Sequence, residues 1–408
     1  MGGGPDKETL LIILWDPEPK HITAEIKRRF PYIDIVYHQL ELSSNPWGGD
    51  LSKGVPTAAE RKRIASRLVP IDVMHGVLMV EEELILRLRE ELWKTATILI
   101  TLGSLPAKPE DAPNLKLIHL FSAGVDHYAN HPIYTDSDIP ITTSSGIHGP
   151  PITEWIILTT LAASKHYDVL YEGQKAHQWK PDRKLLMSQT DWVGKTVGIA
   201  GYGSIGRQAA RVFGALGSHI HAYTAGPRST PDSRKDHGYF VPGTGDPDGT
   251  IPRAWYSGTT KASLHTFLAS GLDALLIALP LTSATRHLFS TEEFEVLSKS
   301  NPPQDQPNKK SRSCFLINIA RGGLIDQPAL VKALNDEVLI GAALDVTDPE
   351  PLPEDDPLWT AKNAIVTPHI SSLGSEYQDR AYDLFITNWG RREKGERMFN
   401  VVDRRRGY

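Results

Sequence analysis

The stretch "KTVGIAGYGSIGRQAARVFGALG", residues 195–217, restricts the fold more than any other part of the chain. An apolar run, three glycines at 201, 203 and 206, and an amphipathic run follow one another, and they predict strand, tight turn and helix. Each glycine has its own reason. Gly201 permits the tight turn, Gly203 lets a pyrophosphate approach the backbone, and Gly206 lets helix and strand pack closely. The backbone N–H groups of Ser204 and Ile205 then sit at the helix N-terminus, facing the anion. Such a unit predicts a doubly wound parallel sheet that binds a dinucleotide.

The next apolar run, "HIHAYT", ends at Thr224, roughly twenty residues past the first glycine, where a ribose-reading side chain is expected. A carboxylate there would bind the adenosine ribose of NAD and repel a 2'-phosphate. Thr224 does neither, whereas Arg228 a few residues on can pair with that phosphate, and Arg234 less directly. NADP is therefore the expected cofactor, with NAD as the alternative. In the plainer reading Arg228 is a solvated loop residue. His219 and His221 share one face of the same strand, but no third ligand is near in sequence, so no metal is expected.

At 408 residues, the chain is long for one core, and two domains are expected. "ETLLIILW", "IDIVYHQ", "TATILIT" and "LKLIHLF" read as strands of a first α/β unit, with helices in "AEIKRRFP" and "VEEELILRLREELWK". After Pro150 and Pro151, "ITEWIILTTLAASKH" is so nearly uniformly apolar that it predicts a buried helix, expected between the two domains. The later runs "DALLIALP", "CFLINIA", "IGAALDV" and "AIVTPHI" extend the second series as strands covered on both faces. Two polar stretches, 229–261 and 299–313, read as surface loops. The first contains "GTGDPDG", which has no strand before it and is not expected to bind phosphate.

A net charge of −5 gives no reason to expect nucleic acid or a membrane surface as partner. The run "LLIILW" is too short for a signal core or a span, and Asp6 stands where myristoylation wants Ser or Thr. The single cysteine, Cys314, excludes an internal disulfide. A cytoplasmic protein is expected.

Three more segments place a polar side chain at the end of an apolar strand: Arg321 in "LINIARGGLID", Glu350 in "GAALDVTDPEPLPEDDPLW" and His369 in "NAIVTPHISSLG". In a doubly wound sheet, ligands sit outside the carboxyl ends of the strands, so such residues can converge. Singly, each has a plainer reading: a turn cap, a solvated acid, a core histidine. Together with "FSAGVDHY", "TEWIILTTLAA", "GKTVGIAGYGSIG", "DALLIALPLTSATRHL" and the closing "NVVDRRRGY", they resemble the D-isomer-specific 2-hydroxyacid dehydrogenase family from about residue 95 onward, apart from the two loops.

The resemblance implies that Arg321, Glu350 and His369 are catalytic. A guanidinium can fork onto the carboxylate and carbonyl of a 2-oxoacid, and an imidazolium can deliver the proton as general acid. Glu350 would fix the ring's tautomer and favour its charged form. Related formate dehydrogenases carry Gln at this position, so Glu350 implies carbonyl and hydroxyl chemistry. By the same resemblance, Gly124 and Val125 offer backbone N–H groups to the substrate carboxylate. Leu279, Pro280, Ile319 and Ala320 line the cofactor, and Asp345 contacts the nicotinamide carboxamide, unless it makes a structural hydrogen bond instead.

The implied architecture is α/β, with a Rossmann-type domain at 147–371 and a flavodoxin-like substrate domain at 1–146 and 372–408. The implied function is NADP-preferring reduction of a small 2-oxoacid, such as glyoxylate or hydroxypyruvate, by a homodimer. The same family includes corepressors that keep the fold and mainly sense the cofactor, which is the alternative reading.

Overall fold

The apolar runs become strands because parallel sheets are covered on both faces: Leu10, Leu11, Ile12 and Ile13 are each at most 1% exposed. The computed structural model describes residues 6–40, 91–179, 182–300 and 314–405. It divides into two units, Met1–Ser145 with Gln378–Tyr408, and Gly146–Tyr377.

The first unit has five strands: β1 (Glu8–Leu14), β2 (Ile33–Gln39), β3 (Ile98–Thr101), β4 (Leu117–Leu120) and β5 (Ile141–Thr143). All pair in parallel in the order β2-β1-β3-β4-β5, the flavodoxin-like order. Most of the helix Tyr377–Glu393 belongs to this unit and buries Tyr382, Leu384 and Phe385. Tyr382 meets Phe121 edge-on, with ring centroids 4.9 Å apart. The expected helix over 80–94 is helical at Glu91–Lys94, and residues 80–90 lie outside the described residues.

The second unit has seven parallel strands: β6 (Thr196–Ala200), β7 (His219–Thr224), β8 (Ala254–Ser257), β9 (Ala274–Ile277), β10 (Phe315–Asn318), β11 (Gly341–Leu344) and β12 (Ala364–Val366). Their order is β12-β11-β10-β9-β6-β7-β8. This is the doubly wound dinucleotide-binding order with one further strand, and the winding reverses between β6 and β9. That reversal opens a crevice at the carboxyl ends of the two strands.

Two expectations need correction. Residues 229–261 are not simply a surface loop: they contain the helix Pro231–Arg234 and the edge strand β8, and Asp246 within them is 4% exposed. Pro231, Gly238, Pro242, Gly243 and Pro247 are exposed as expected, whereas Gly245 and Gly249 are buried beside Asp246. The apolar helix Gly149–Ser164 is not buried on all sides, since Leu158 is 67% exposed while Ile152, Trp155 and Ile156 face the core. Helices Tyr167–Lys175 and Arg183–Ser188, which follow it, were not anticipated. The loop expected at 299–313 falls almost wholly outside the described residues. Among the described residues no helix is long and apolar enough to cross a membrane.

Candidate active site

The glycine turn follows β6. Gly201 has φ +102°, and a Cβ there would lie 2.3 Å from the Ala278 carbonyl oxygen. Only glycine allows strand β6 to turn so close to the end of β9. A Cβ at Gly206 would lie 2.3 Å from the Gly201 oxygen and 2.9 Å from Ile199 Cγ2, so this glycine sets the packing of helix on strand. Gly203 differs from both. Nothing lies within 4 Å of its missing Cβ, and it stands at the N-cap of the helix Ser204–Ala215 with no side chain capping it. An open cradle at a helix N-terminus, formed with Ser204 and Ile205, fits a dinucleotide pyrophosphate.

Leu279 and Pro280 follow β9 directly, and Ala278 N–H bonds the Ala200 oxygen at 2.8 Å, which brings them beside the turn. Ile319 is 6% exposed with its side chain in the core, and Ala320 N–H bonds Asn318 Oδ1 at 3.1 Å. At the end of β7, Thr224 Oγ1 donates to the Gly226 oxygen at 2.8 Å. Arg228 lines a cleft of about 320 Å³ with Arg234, Arg253, Trp255 and Ser257. His221 Nδ1 pairs with Ser270 Oγ at 2.9 Å. His265, Glu292 and Glu293 gather their ligand atoms within 4.8 Å, but Lys261 Nζ lies 2.5 Å from Glu292 and supplies the positive charge there.

Arg321, Glu350 and His369 lie past the ends of β10, β11 and β12. The loop of Arg321 is fixed by Asn318, whose Nδ2 donates to the Arg321 oxygen at 3.0 Å. A Cβ at Gly322 would sit 1.9 Å from the Thr347 oxygen, so glycine is what lets the Arg321 loop touch the loop that carries Glu350. Arg286 spans the same two loops, with NH2 2.8 Å from Asp348 Oδ2 and NH1 against Gly323.

Glu350 accepts the Thr347 N–H at Oε1 (3.0 Å) and meets His369 Nδ1 with Oε2 (3.1 Å). Burial raises the Glu350 pKa, but the His369 hydrogen bond and charge, the Thr347 N–H and the Arg321 charge outweigh it. The net pKa lies below the ordinary 4.5.

His369 has φ +53°, a left-handed backbone that is strained for a side chain of this kind. Asp345 holds it there. The Asp345 oxygen accepts the His369 N–H at 2.8 Å, Oδ1 accepts from Thr367 Oγ1 (2.6 Å) and Ile370 N–H (2.9 Å), and Oδ2 accepts from Ser371 N–H (2.9 Å). At 1% exposure, Asp345 thus makes the structural hydrogen bonds given above as the alternative to ligand contact. Gly124 and Val125 lie in the first unit after β4, where Ser122 Oγ donates to the Gly124 oxygen at 2.8 Å.

Sequence reading did not single out Asn318, Gly322, Thr347, Arg286 or Asp348. All but Arg286 lie within three residues of Arg321 or Glu350.

The second unit is thus a dinucleotide-binding domain carrying a carboxylate–imidazole pair and a neighbouring guanidinium. The family description "D-isomer specific 2-hydroxyacid dehydrogenase, NAD binding domain" matches residues 157–242 and 247–371. A glyoxylate reductase of Thermofilum pendens is 30% identical over 317 residues, 77% of this chain and 82% of that protein. A D-3-phosphoglycerate dehydrogenase of Methanocaldococcus jannaschii is 28% identical, over 72% of this chain and 48% of that one. Among solved structures, an NADPH-dependent glyoxylate/hydroxypyruvate reductase from Sinorhizobium meliloti in complex with NADP and sulfate shares the fold. Its TM-score is 0.64 at 23% identity, covering 98% of this chain and 100% of that one. The chain belongs to the D-isomer-specific 2-hydroxyacid dehydrogenase family. It is an NAD(P)-dependent oxidoreductase acting on the CH–OH group of 2-hydroxyacids.

Because Glu350 titrates below its unfolded value, its contribution to stability is complete above the ordinary carboxylate range and is lost as pH falls through the depressed value. Thermal melts across about pH 6 to pH 3 should therefore show a shallower acid loss of Tm for Glu350→Gln than for the wild type. Identical slopes would show that the pair contributes nothing to folding.

Proposed function

We propose that the protein reduces a small 2-oxoacid, such as glyoxylate or hydroxypyruvate, to its D-2-hydroxyacid with NADPH, and that His369 is the general acid. The 3.1 Å contact between Glu350 Oε2 and His369 Nδ1 carries this reading. It leaves Nε2 as the atom that holds the proton and delivers it to the substrate oxygen, while ionised Glu350 supports the charged ring. In the oxidation direction, the same atom takes the proton from the hydroxyl.

Arg321 forks onto the substrate carboxylate and carbonyl and stabilises the negative charge that grows on that oxygen. A nicotinamide held in this domain would supply the hydride for the carbonyl carbon. Gly201, Gly203, Ser204, Ile205 and Gly206 would hold the pyrophosphate, and Leu279, Pro280, Ile319 and Ala320 would line the nicotinamide side. Asp345 Oδ2, with one internal donor, keeps a lone pair for the carboxamide. In the first unit, we assign substrate binding to the Gly124–Val125 turn.

The glyoxylate reductase named among the relatives supports the substrate class. Thr224 in place of an acid, with Arg228 beside it, supports NADP over NAD. A protein that only sensed the cofactor would have no use for the Glu350–His369 pair, which favours turnover over sensing.

We extend the proposal to a homodimer formed by a second copy on the face of Leu158, Tyr167, Leu170, Tyr171 and Met187, which are 67%, 58%, 36%, 44% and 77% exposed. These exposed apolar side chains come from three successive helices, Gly149–Ser164, Tyr167–Lys175 and Arg183–Ser188, and exposed apolar surface of this kind marks an interface more often than isolated exposed side chains do.

Three outcomes test this reading. His369→Ala should lower kcat for glyoxylate reduction by about 10²- to 10⁴-fold, and turnover within tenfold of wild type would remove the acid. Arg228→Ala should reduce kcat/KM for NADPH by about 10- to 100-fold and leave that for NADH nearly unchanged, whereas a wild type that prefers NADH would overturn the cofactor assignment. Light scattering should give the mass of two chains, falling to one for Leu158→Glu with Tyr171→Glu; a monomeric wild type would sink the dimer.

A further inference from the structure

We propose that residues 229–251 form a brace for the dinucleotide turn, in which Asp246 and Arg207 are positioning residues that hold the turn and the Arg228 region as one rigid piece. The proposal rests on the reading that this turn binds NADPH.

Arg207, the first residue after the glycine motif, is 3% exposed. A buried guanidinium is costly unless its donors find partners, and here both terminal nitrogens find them in the brace, while Nε makes an ion-pair contact and no hydrogen bond. NH1 donates to the Asp246 carbonyl oxygen at 2.5 Å, NH2 donates to the Arg234 carbonyl oxygen at 2.7 Å, and Nε lies 3.5 Å from Asp236 Oδ2. Its Cζ lies 5.1 Å from the ring centroid of Tyr202, the residue between Gly201 and Gly203.

Tyr202 reaches the same segment. Its hydroxyl donates to Asp246 Oδ2 at 2.8 Å. That carboxylate is 4% exposed and also accepts the Thr250 and Ile251 N–H groups at 3.0 and 3.1 Å. Next to Arg207 on the helix, Gln208 Oε1 accepts the Gly245 N–H at 2.7 Å. The brace thus grips both the middle of the turn and the start of its helix.

From there the contacts run on to the basic cleft. Arg234, whose oxygen receives Arg207, donates from Nε to the Arg228 oxygen at 2.9 Å, and Arg228 NH1 donates to the Ser233 oxygen at 2.5 Å. A turn whose amides are aligned before the anion arrives does not have to be ordered on binding, so the brace acts on cofactor affinity and not on the chemical step.

The test is equilibrium titration of the full-length protein with NADPH, followed by its fluorescence, beside steady-state kinetics with both nicotinamides. Tyr202→Phe removes one hydroxyl and leaves the Asp246 amide contacts in place. It should raise the NADPH Kd and KM about 5- to 20-fold, with kcat at saturating cofactor within about twofold. Asp246→Ala should weaken NADPH further and narrow its advantage over NADH, and Asp246→Asn should recover part of the loss. If Asp246→Ala does not fold, Tyr202→Phe decides alone. A wild type that binds NADPH, with Tyr202→Phe equal to it, overturns the brace and spares the cofactor reading. A wild type that binds neither nicotinamide overturns both.

Discussion

A buried carboxylate, Asp345, holds the imidazole of His369 in place. Asp345 sits just past β11 at 1% exposure, and a charge so placed persists only where donors surround it. The donors are Thr367, Ile370 and Ser371, all from the loop that follows β12, and the Asp345 carbonyl takes the His369 N–H as well. These bonds offset the left-handed backbone of His369, a conformation that a free loop would leave for the extended region. Two acids therefore share the positioning of one side chain. Asp345 fixes where the backbone of His369 stands, and Glu350 fixes how its ring points.

Much of this was legible from sequence because parallel sheets write themselves as continuous apolar runs, and the strand order follows from right-handed crossovers between them. The three glycines were legible for the same kind of reason, since each answers a different steric demand at a fixed spacing. Arg321, Glu350 and His369 stood out because each is a polar residue shortly after an apolar strand. What failed was composition. Prolines and glycines in 229–261 suggested solvent, yet four residues there, Ala254 to Ser257, add strand β8 to the sheet edge. A run that short carries no readable alternation, and the same holds for the three residues of β5. The partners of Asp246 were also hidden. Its hydroxyl donor, Tyr202, is 44 residues away, and no local pattern announces such a pairing.

Asp345 shows a finer limit of sequence reading. Its residue type and position were picked out, and both a ligand contact and a structural bond were open to it. Three donors from one loop favour the structural bond as its main work, and that count depends on where β11 and β12 end side by side. The register of neighbouring strands decides it, and register is a property of the folded sheet.

Charge placement ties the proposed brace to the proposed choice of NADPH. The chain carries a net charge of −5, so a phosphorylated ligand meets no favourable long-range field and must be drawn by local groups. Arg228, Arg234 and Arg253 line one cleft. Three guanidiniums close together repel one another and would splay apart on a free loop. Here the Arg228 and Arg234 side chains each bond a backbone carbonyl of the same short segment, which spends donor capacity on geometry. Arg207 adds a third such bond from the glycine-turn helix. A loop tethered in this way would keep its positive charge at a fixed distance from the proposed pyrophosphate cradle, and a fixed distance is what would let the proposed site tell a ribose with a phosphate from one without.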